Sequence, residues 1–388
     1  PVAQQQLSNA VSHPRESKRV EGATVPTGSR GTTRALPMPG AITSRFFWAT
    51  NGIAIGAFCL TLAIFFAIPR IGAGFFQKSR VELIRTSGFS EKVDLSSIGA
   101  IKLDQTVVMR VEFPDSPRPA GELLYFRGAA YDFYDGRTWS NTLSMRRAVV
   151  PGPEGAFQIA DARGGAQPTL RQEILLEPLD TQALFGISAI ESIKSSIMVV
   201  QSDAMGNLYL PYSAWTRMQY SVRSTLHPIR AEERTGTGFS YPPEITRRFL
   251  QLPAMSSRVR ELAESVTRTV AHPFDKVMAV ERYLEENYRY SLDLGFGAQA
   301  SAERSNPLEE FLFSRKTGYC EHYATAMVML LRSIGIPARL LTGFLPGEWN
   351  DFGNYFTVRQ RDAHAWVEVY FPASGWVTFD PTPSDQLP

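Results

Sequence analysis

Three residues in the C-terminal third of this 388-residue chain, Cys320, His364 and Asp380, are of types that together can carry out covalent chemistry on a carbonyl group. Cys320 lies in T-G-Y-C-E-H-Y-A-T-A-M-V-M-L-L-R-S-I-G-I-P (Thr317 to Pro337). Gly318 ends one segment, and from Cys320 onward Ala324, Met327, Val328 and Leu331 recur at helical spacing, which predicts an amphipathic helix with the thiol in its first turn. Unpaired N–H groups and the positive dipole end at such a position favour the thiolate, drawing a thiol pKa from about 8.5 into the range of roughly 3.5 to 7.5. The commonest fate of a lone cysteine is to be a small buried hydrophobe. Two later residues argue against that here.

His364 belongs to D-A-H-A-W-V-E-V-Y-F (Asp362 to Phe371), whose period-two alternation sets Ala363, Ala365, Val367, Val369 and Phe371 on one face and His364, Trp366, Glu368 and Tyr370 on the other. Asp380 ends a similar run, where Val377 and Phe379 alternate with Trp376, Thr378 and Asp380. A thiol nucleophile, an imidazole base and a carboxylate that orients it would make a complete set. Spacing alone does not bring them together. With a simple four-residue hairpin loop over Pro372 to Gly375, Asp380 would fall opposite Val367, so the triad requires a bulge, a longer loop or another strand order.

Other candidates are weaker. His322 follows Cys320 by two residues, about 200° around a helix, and reads as a packing or supporting residue. His13, His227 and His272 lie beside prolines in linker or turn settings and read as surface positions. Zinc prefers paired motifs that do not occur here, and the acidic loop Gly347 to Asn354 has no EF-hand pattern, so neither a metal nor a cofactor is expected. The backbone N–H of Cys320 is a natural oxyanion donor, with Tyr288, Tyr290 or Tyr319 as the second. Trp366 and Trp376 either wall the cleft or pack the sheet.

Positioning such a set takes a folded core, and the composition (44% hydrophobic, 11% aromatic) provides for one. A net charge of +2, with no basic run in the globular part, argues against a nucleic-acid partner. Cys59 sits in an apolar span remote from Cys320, so no disulfide is expected between them. Residues 1–45 read as a flexible linker, and the chain as a fragment of a longer one. Residues 46–68 carry no charge and would span roughly 35 Å as a helix, enough for a transmembrane segment. The modest excess of basic residues before it places its N-terminal side in the cytoplasm.

From 69 to 241 the signals are those of a β-rich, sandwich-type domain, with strands expected at Gln105–Phe113, Gly121–Arg127, Gln172–Leu176, Ser195–Gln201, Asn207–Leu210 and Gln219–Leu226 and a loose loop over Pro151–Pro168. The aromatic cluster Leu124–Trp139 reads as core. Residues 242–388 read as one α+β unit, its helices (Ser256–Val270, Pro273–Tyr288) preceding its sheet. Lys276, Glu281, Arg282 and Glu285 are expected on the wet face of the second helix. A second flexible patch covers Gly295–Ser305.

The ordered blocks T-G-Y-C-E-H-Y-A, G-I-P-A-R-L-L-T-G-F (Gly335 to Phe344), Y-F-T-V-R-Q-R-D-A-H-A-W-V-E-V-Y (Tyr355 to Tyr370) and G-W-V-T-F-D-P-T (Gly375 to Thr382) resemble the bacterial transglutaminase-like superfamily. The likeness is greatest to its membrane-anchored branch, the TgpA-type protein-glutamine gamma-glutamyltransferases, to which I-P-R, Thr86–Leu95 and Leu124–Trp139 are also similar. The resemblance implies a papain-like transglutaminase core preceded by a β-rich domain and one transmembrane helix, with Cys320, His364 and Asp380 at the catalytic positions. It further implies an inner-membrane anchor, a periplasmic catalytic domain, and transfer of a glutamine side-chain acyl group through a thioester to a lysine-type amine. Two readings compete with it: a cysteine peptidase or amidase acting on protein or cell-wall peptides, and a non-catalytic binding module.

Overall fold

The computed structural model describes residues 44–67, 92–94, 102, 104–115, 124–152, 154–160, 169–225, 240–293 and 306–383. His13, His227, the patch 295–305 and nearly all of the linker 1–45 fall outside these residues. The chain divides into two compact units, 1–72 and 73–388. The first holds helix α1 (Ser44–Ala67), where Thr50, Asn51 and Thr61 bond to carbonyls one turn back and so hide their polar groups. Its Ser44–Ala63 stretch, of mean hydropathy 1.6, is the one segment among the described residues long and apolar enough to cross a membrane.

The second unit is built on two antiparallel sheets. The strands of these two sheets are β1 (Val107–Glu112), β2 (Phe126–Tyr131), β3 (Ala156–Gln158), β4 (Thr169–Leu176), β5 (Gly186–Ile187), β6 (Ile190–Ser195) and β7 (Met218–Thr225), then β8 (Ala338–Phe344), β9 (Glu348–Asn350), β10 (Tyr355–Arg359), β11 (Ala363–Phe371) and β12 (Gly375–Phe379). One sheet runs β12-β11-β8-β2-β5 and the other β9-β10-β1-β4-β7-β6-β3. Strands from either side of residue 242 therefore share both sheets, β2 pairing with β8 and β1 with β10. The stretch Ser195–Gln201, expected as one strand, is instead divided between β6 and Val200–Ser202, which belong to different sheets. Phe126, Tyr131, Tyr134 and Trp139 of the aromatic run are buried in the core.

Helices α2 (Pro243–Phe249), α3 (Ser257–Val266), α4 (Pro273–Asn287) and α5 (Cys320–Ser333) follow the pattern of helices before sheet. Pro273 presets the first turn of α4, and the His272 side chain caps it by accepting from the Phe274 N–H at 3.3 Å. The sequence predicts an amphipathic α5, but every residue from Cys320 to Ser333 is buried, because α3, α4, β8 and β11 surround it. Apolar side chains such as Met327, Val328 and Leu331 each contribute about 1.5–3 kcal/mol by that burial. Buried Arg332 spends its donors on the carbonyls of Ala338, Gln251 and Asp132, each at 2.9 Å, and Gly335 at φ +82° lets the chain leave the helix.

Candidate active site

The cysteine is placed by the turn that precedes it. Residues Thr317–Gly318 pair in parallel with Arg289–Tyr290, and at Gly318 an added Cβ would lie 2.9 Å from both His322 and Phe311. The strand thus approaches the helix start as closely as only glycine permits. Tyr319 is the N-cap residue of α5, and its N–H points at Nδ1 of His322, 3.5 Å away, so His322 supports the first turn rather than facing the thiol. Burial, followed by the charge of Arg315, lowers the His322 pKa to about 4, which keeps that ring a neutral acceptor.

The imidazole is placed by the sheet. His364 pairs with Gly343 of β8, where an added Cβ would come within 2.1 Å of the Phe126 carbonyl oxygen and 2.6 Å of the Trp366 ring. The alternation along β11 is as expected, with Ala363, Ala365, Val367, Val369 and Phe371 in the main core. The opposite face is buried too, since Trp366 packs with Ala130, Met205, Phe249 and Leu341. Trp366 also stacks on His364 at 6.3 Å between ring centres, and Trp376 packs on Phe249 at 4.6 Å. Glu368 on that face forms a buried ion pair with Arg339, whose Nε and Nη2 donate at 2.8 and 2.5 Å.

The carboxylate reaches the imidazole because of one residue in the loop. Phe371 pairs with Gly375 and Val367 with Phe379, so the hairpin loop is the three residues Pro372–Ala373–Ser374, closed by Gly375 at φ +78°. A loop one residue shorter than the four-residue case moves Asp380 from opposite Val367 to opposite Trp366, onto the face of His364. His364 Nε2 then lies 2.7 Å from Asp380 Oδ2, leaving Nδ1 for the Cys320 thiol, which is hydrogen-bonded to the ring.

Electrostatics favours an ion pair between sulfur and imidazole. Burial opposes ionisation of Cys320, but the hydrogen bond and charge of His364, the charge of Lys102 and the Ala365 N–H outweigh it and bring the thiol below its ordinary value. Burial likewise disfavours the imidazolium, yet the charge and hydrogen bond of Asp380, with those of Cys320, hold the His364 pKa at about 9. Asp380, despite burial, is kept below the usual carboxylate range by His364 and by Thr382, whose N–H donates to Oδ1 at 3.0 Å.

Several neighbours carry no signal of their role in the sequence. Glu281, expected on the wet face of α4, is mostly buried and accepts from the Asp380 N–H at 3.0 Å. Desolvation, together with the charges of Glu285 and Asp380, raises its pKa to about 7. Tyr125, just before β2, donates its hydroxyl to Asp380 Oδ2 at 2.9 Å. Lys102 acts through space on the thiol, and nearby in the chain the Thr106 and Asp104 carbonyls accept from the N–H groups of Gln360 and Arg361. Of the three tyrosines considered for the oxyanion site, Tyr288 is bonded to the Leu312 carbonyl and Tyr319 packs edge-on against His322. Tyr290 lies with its hydroxyl against the Cys320 N–H. Among the described residues no group of three or more His, Cys, Asp or Glu is placed to hold a metal ion.

Residues 260–381 match the transglutaminase-like superfamily and residues 10–231 the TgpA N-terminal domain. The protein-glutamine gamma-glutamyltransferase of Pseudomonas aeruginosa is 30% identical over 334 residues, 86% of this chain and 46% of the relative. YebA of Bacillus subtilis is 44% identical over 285 residues, 67% of this chain and 37% of the relative. The chain thus spans less than half the length of these two curated relatives. The crystal structure of the periplasmic domain of TgpA from Pseudomonas aeruginosa bound to ethylmercury superposes with a TM-score of 0.58 at 28% identity, covering 75% of this chain and 95% of that one. With a TgpA N-terminal segment joined to a transglutaminase-like core, the chain belongs to the TgpA family of transglutaminase-like proteins.

Proposed function

We propose that the protein is a membrane-anchored acyltransferase that joins a glutamine side chain to a lysine-type amine through a thioester on Cys320. The observation that carries this reading is the contiguous set of thiol, imidazole and carboxylate, biased toward a thiolate–imidazolium pair. The thiolate attacks the carboxamide carbon, and the oxyanion forms where the Cys320 N–H points, displacing the Tyr290 hydroxyl into the role of second donor. The C–N bond breaks as the His364 imidazolium gives its proton to the departing ammonia, leaving the thioester. An amine then attacks, His364 takes up its proton, and the isopeptide bond forms with return of the thiolate. Asp380 holds the ring so that Nδ1 faces sulfur throughout.

In this reading α1, which overlaps the expected span 46–68, is the anchor, 69–241 and 242–388 are the periplasmic β-rich and catalytic regions, and 1–45 is the linker before the anchor. The likeness to a TgpA periplasmic domain supports placing the site outside the inner membrane. The test is incubation of the solubilised chain and its Cys320→Ala variant with a glutamine peptide and a fluorescent primary amine. Amine incorporation by the wild type alone is the expected result. Deamidation without incorporation at any amine concentration would replace transfer by hydrolysis, and full activity in Cys320→Ala would sink the mechanism.

A further inference from the structure

We infer that Tyr125, contributed by the TgpA N-terminal segment, is a positioning residue for the catalytic set: its hydroxyl fixes the Asp380 carboxylate against His364. This rests on the acyl-transfer reading for its activity assay but not for its geometry. Asp380 follows the last residue of β12, so no ladder partner orients it beyond Phe379. Its orientation falls to side contacts: Oδ2 takes His364 Nε2 at 2.7 Å and the Tyr125 hydroxyl at 2.9 Å, while Oδ1 takes the Thr382 N–H at 3.0 Å. Giving the two oxygens different partners prevents the carboxylate from turning. Of these partners, Tyr125 alone comes from the segment before residue 242, 255 positions from Asp380.

Tyr125 is itself rigidly held. The next residues, Phe126 and Arg127, pair with Phe344 and Gly343 of β8, and Gly343 in turn pairs with His364, so the tyrosine backbone is set one strand away from the imidazole. Its ring packs on Trp366 at 5.0 Å and on His364 at 6.3 Å. A phenol has one proton, and burial beside the Asp380 charge holds its pKa well above the usual range, so the hydroxyl remains a donor at every working pH. The consequence is that the catalytic strands are incomplete without the upstream segment: the TgpA N-terminal domain builds part of the active site.

The test is Tyr125→Phe in the full chain, which keeps the stacked ring and removes only the hydroxyl. Loss of a hydrogen bond to a charged group predicts a fall in kcat of about ten- to a hundredfold with KM unchanged within about twofold. An unchanged kcat overturns the inference. A double-mutant cycle read by iodoacetamide labelling of Cys320 separates positioning from mere packing. Tyr125→Phe is expected to slow labelling in the wild-type background and to have no further effect once Asp380→Ala has removed the acceptor. Equal slowing in both backgrounds overturns positioning. Coupling in a chain that shows no acyl transfer upholds positioning while rejecting the transferase, so the two failures are distinguishable.

Discussion

Removing the Asp380 carboxylate should extinguish the reactive state of Cys320 at neutral pH. Asp380 is the foremost of the groups that raise the His364 pKa from 6.5 to about 9 against burial, a difference of about 3 kcal/mol in favour of the imidazolium at 1.36 kcal/mol per pKa unit. In Asp380→Ala the buried ring loses that support, becomes neutral at pH 7, and no longer stabilises the thiolate. The labelling rate of Cys320 by iodoacetamide, followed by mass spectrometry from pH 5 to 10, should fall at pH 7 by about two decades. The wild type should keep a plateau that begins below the ordinary thiol value. Circular dichroism checks that the variant is folded. A labelling rate in Asp380→Ala within about threefold of the wild type at pH 7 would refute the ion-pair reasoning. The same shifts act on stability with opposite signs. The raised His364 pKa contributes stability that is full below 6.5 and lost as pH climbs through about 9. The depressed Asp380 value contributes stability present above 3.8 and lost on acidification.

Three further outcomes follow from the surroundings of the site. Glu281 is a carboxyl whose pKa is raised to about 7, so its contribution favours folding below 4.5 and is lost as pH rises through 7; Glu281→Gln should therefore melt higher than the wild type at pH 8 and equally at pH 4, and an equal melting temperature at both would contradict this. Arg339→Ala leaves Glu368 buried without its ion-pair partner and should cost about 3–5 kcal/mol in urea unfolding, whereas a cost below about 1 kcal/mol would show that the pair is solvated. Gly343→Ala drives a methyl into the Phe126 carbonyl and the Trp366 ring, so the unfolding midpoint should drop by the equivalent of about 3 kcal/mol or more, with slowed Cys320 labelling as His364 shifts.

Much of the site was legible in the chain. Helical spacing after Gly318 located Cys320 at a helix start, and period-two alternation put His364 and Trp366 on the face opposite Ala365 and Val367. Both signals are local, because side-chain direction along a helix or strand follows from backbone period alone. The β-rich character of the upstream residues and the core role of Tyr131, Tyr134 and Trp139 were legible for the same reason. Local period also misled: it marked Glu281 for solvent and α5 for one exposed face. Neither the packing of α5 by α3, α4 and the sheet nor the approach of Asp380 to α4 is encoded within the helices themselves.

Register and long-range contact belong to the folded chain. Whether Asp380 faces His364 turns on a loop of three residues rather than four, a difference the composition of Pro372–Gly375 does not reveal but strand pairing settles. Tyr290 meets the Cys320 N–H through a two-residue parallel pairing, and Tyr125 meets Asp380 across 255 positions of sequence. The sequence thus determined which residue types were available and which way each would point from its own element. Closing the sheets, where burial and ladder hydrogen bonding act on segments far apart in the chain, determined which of them touch.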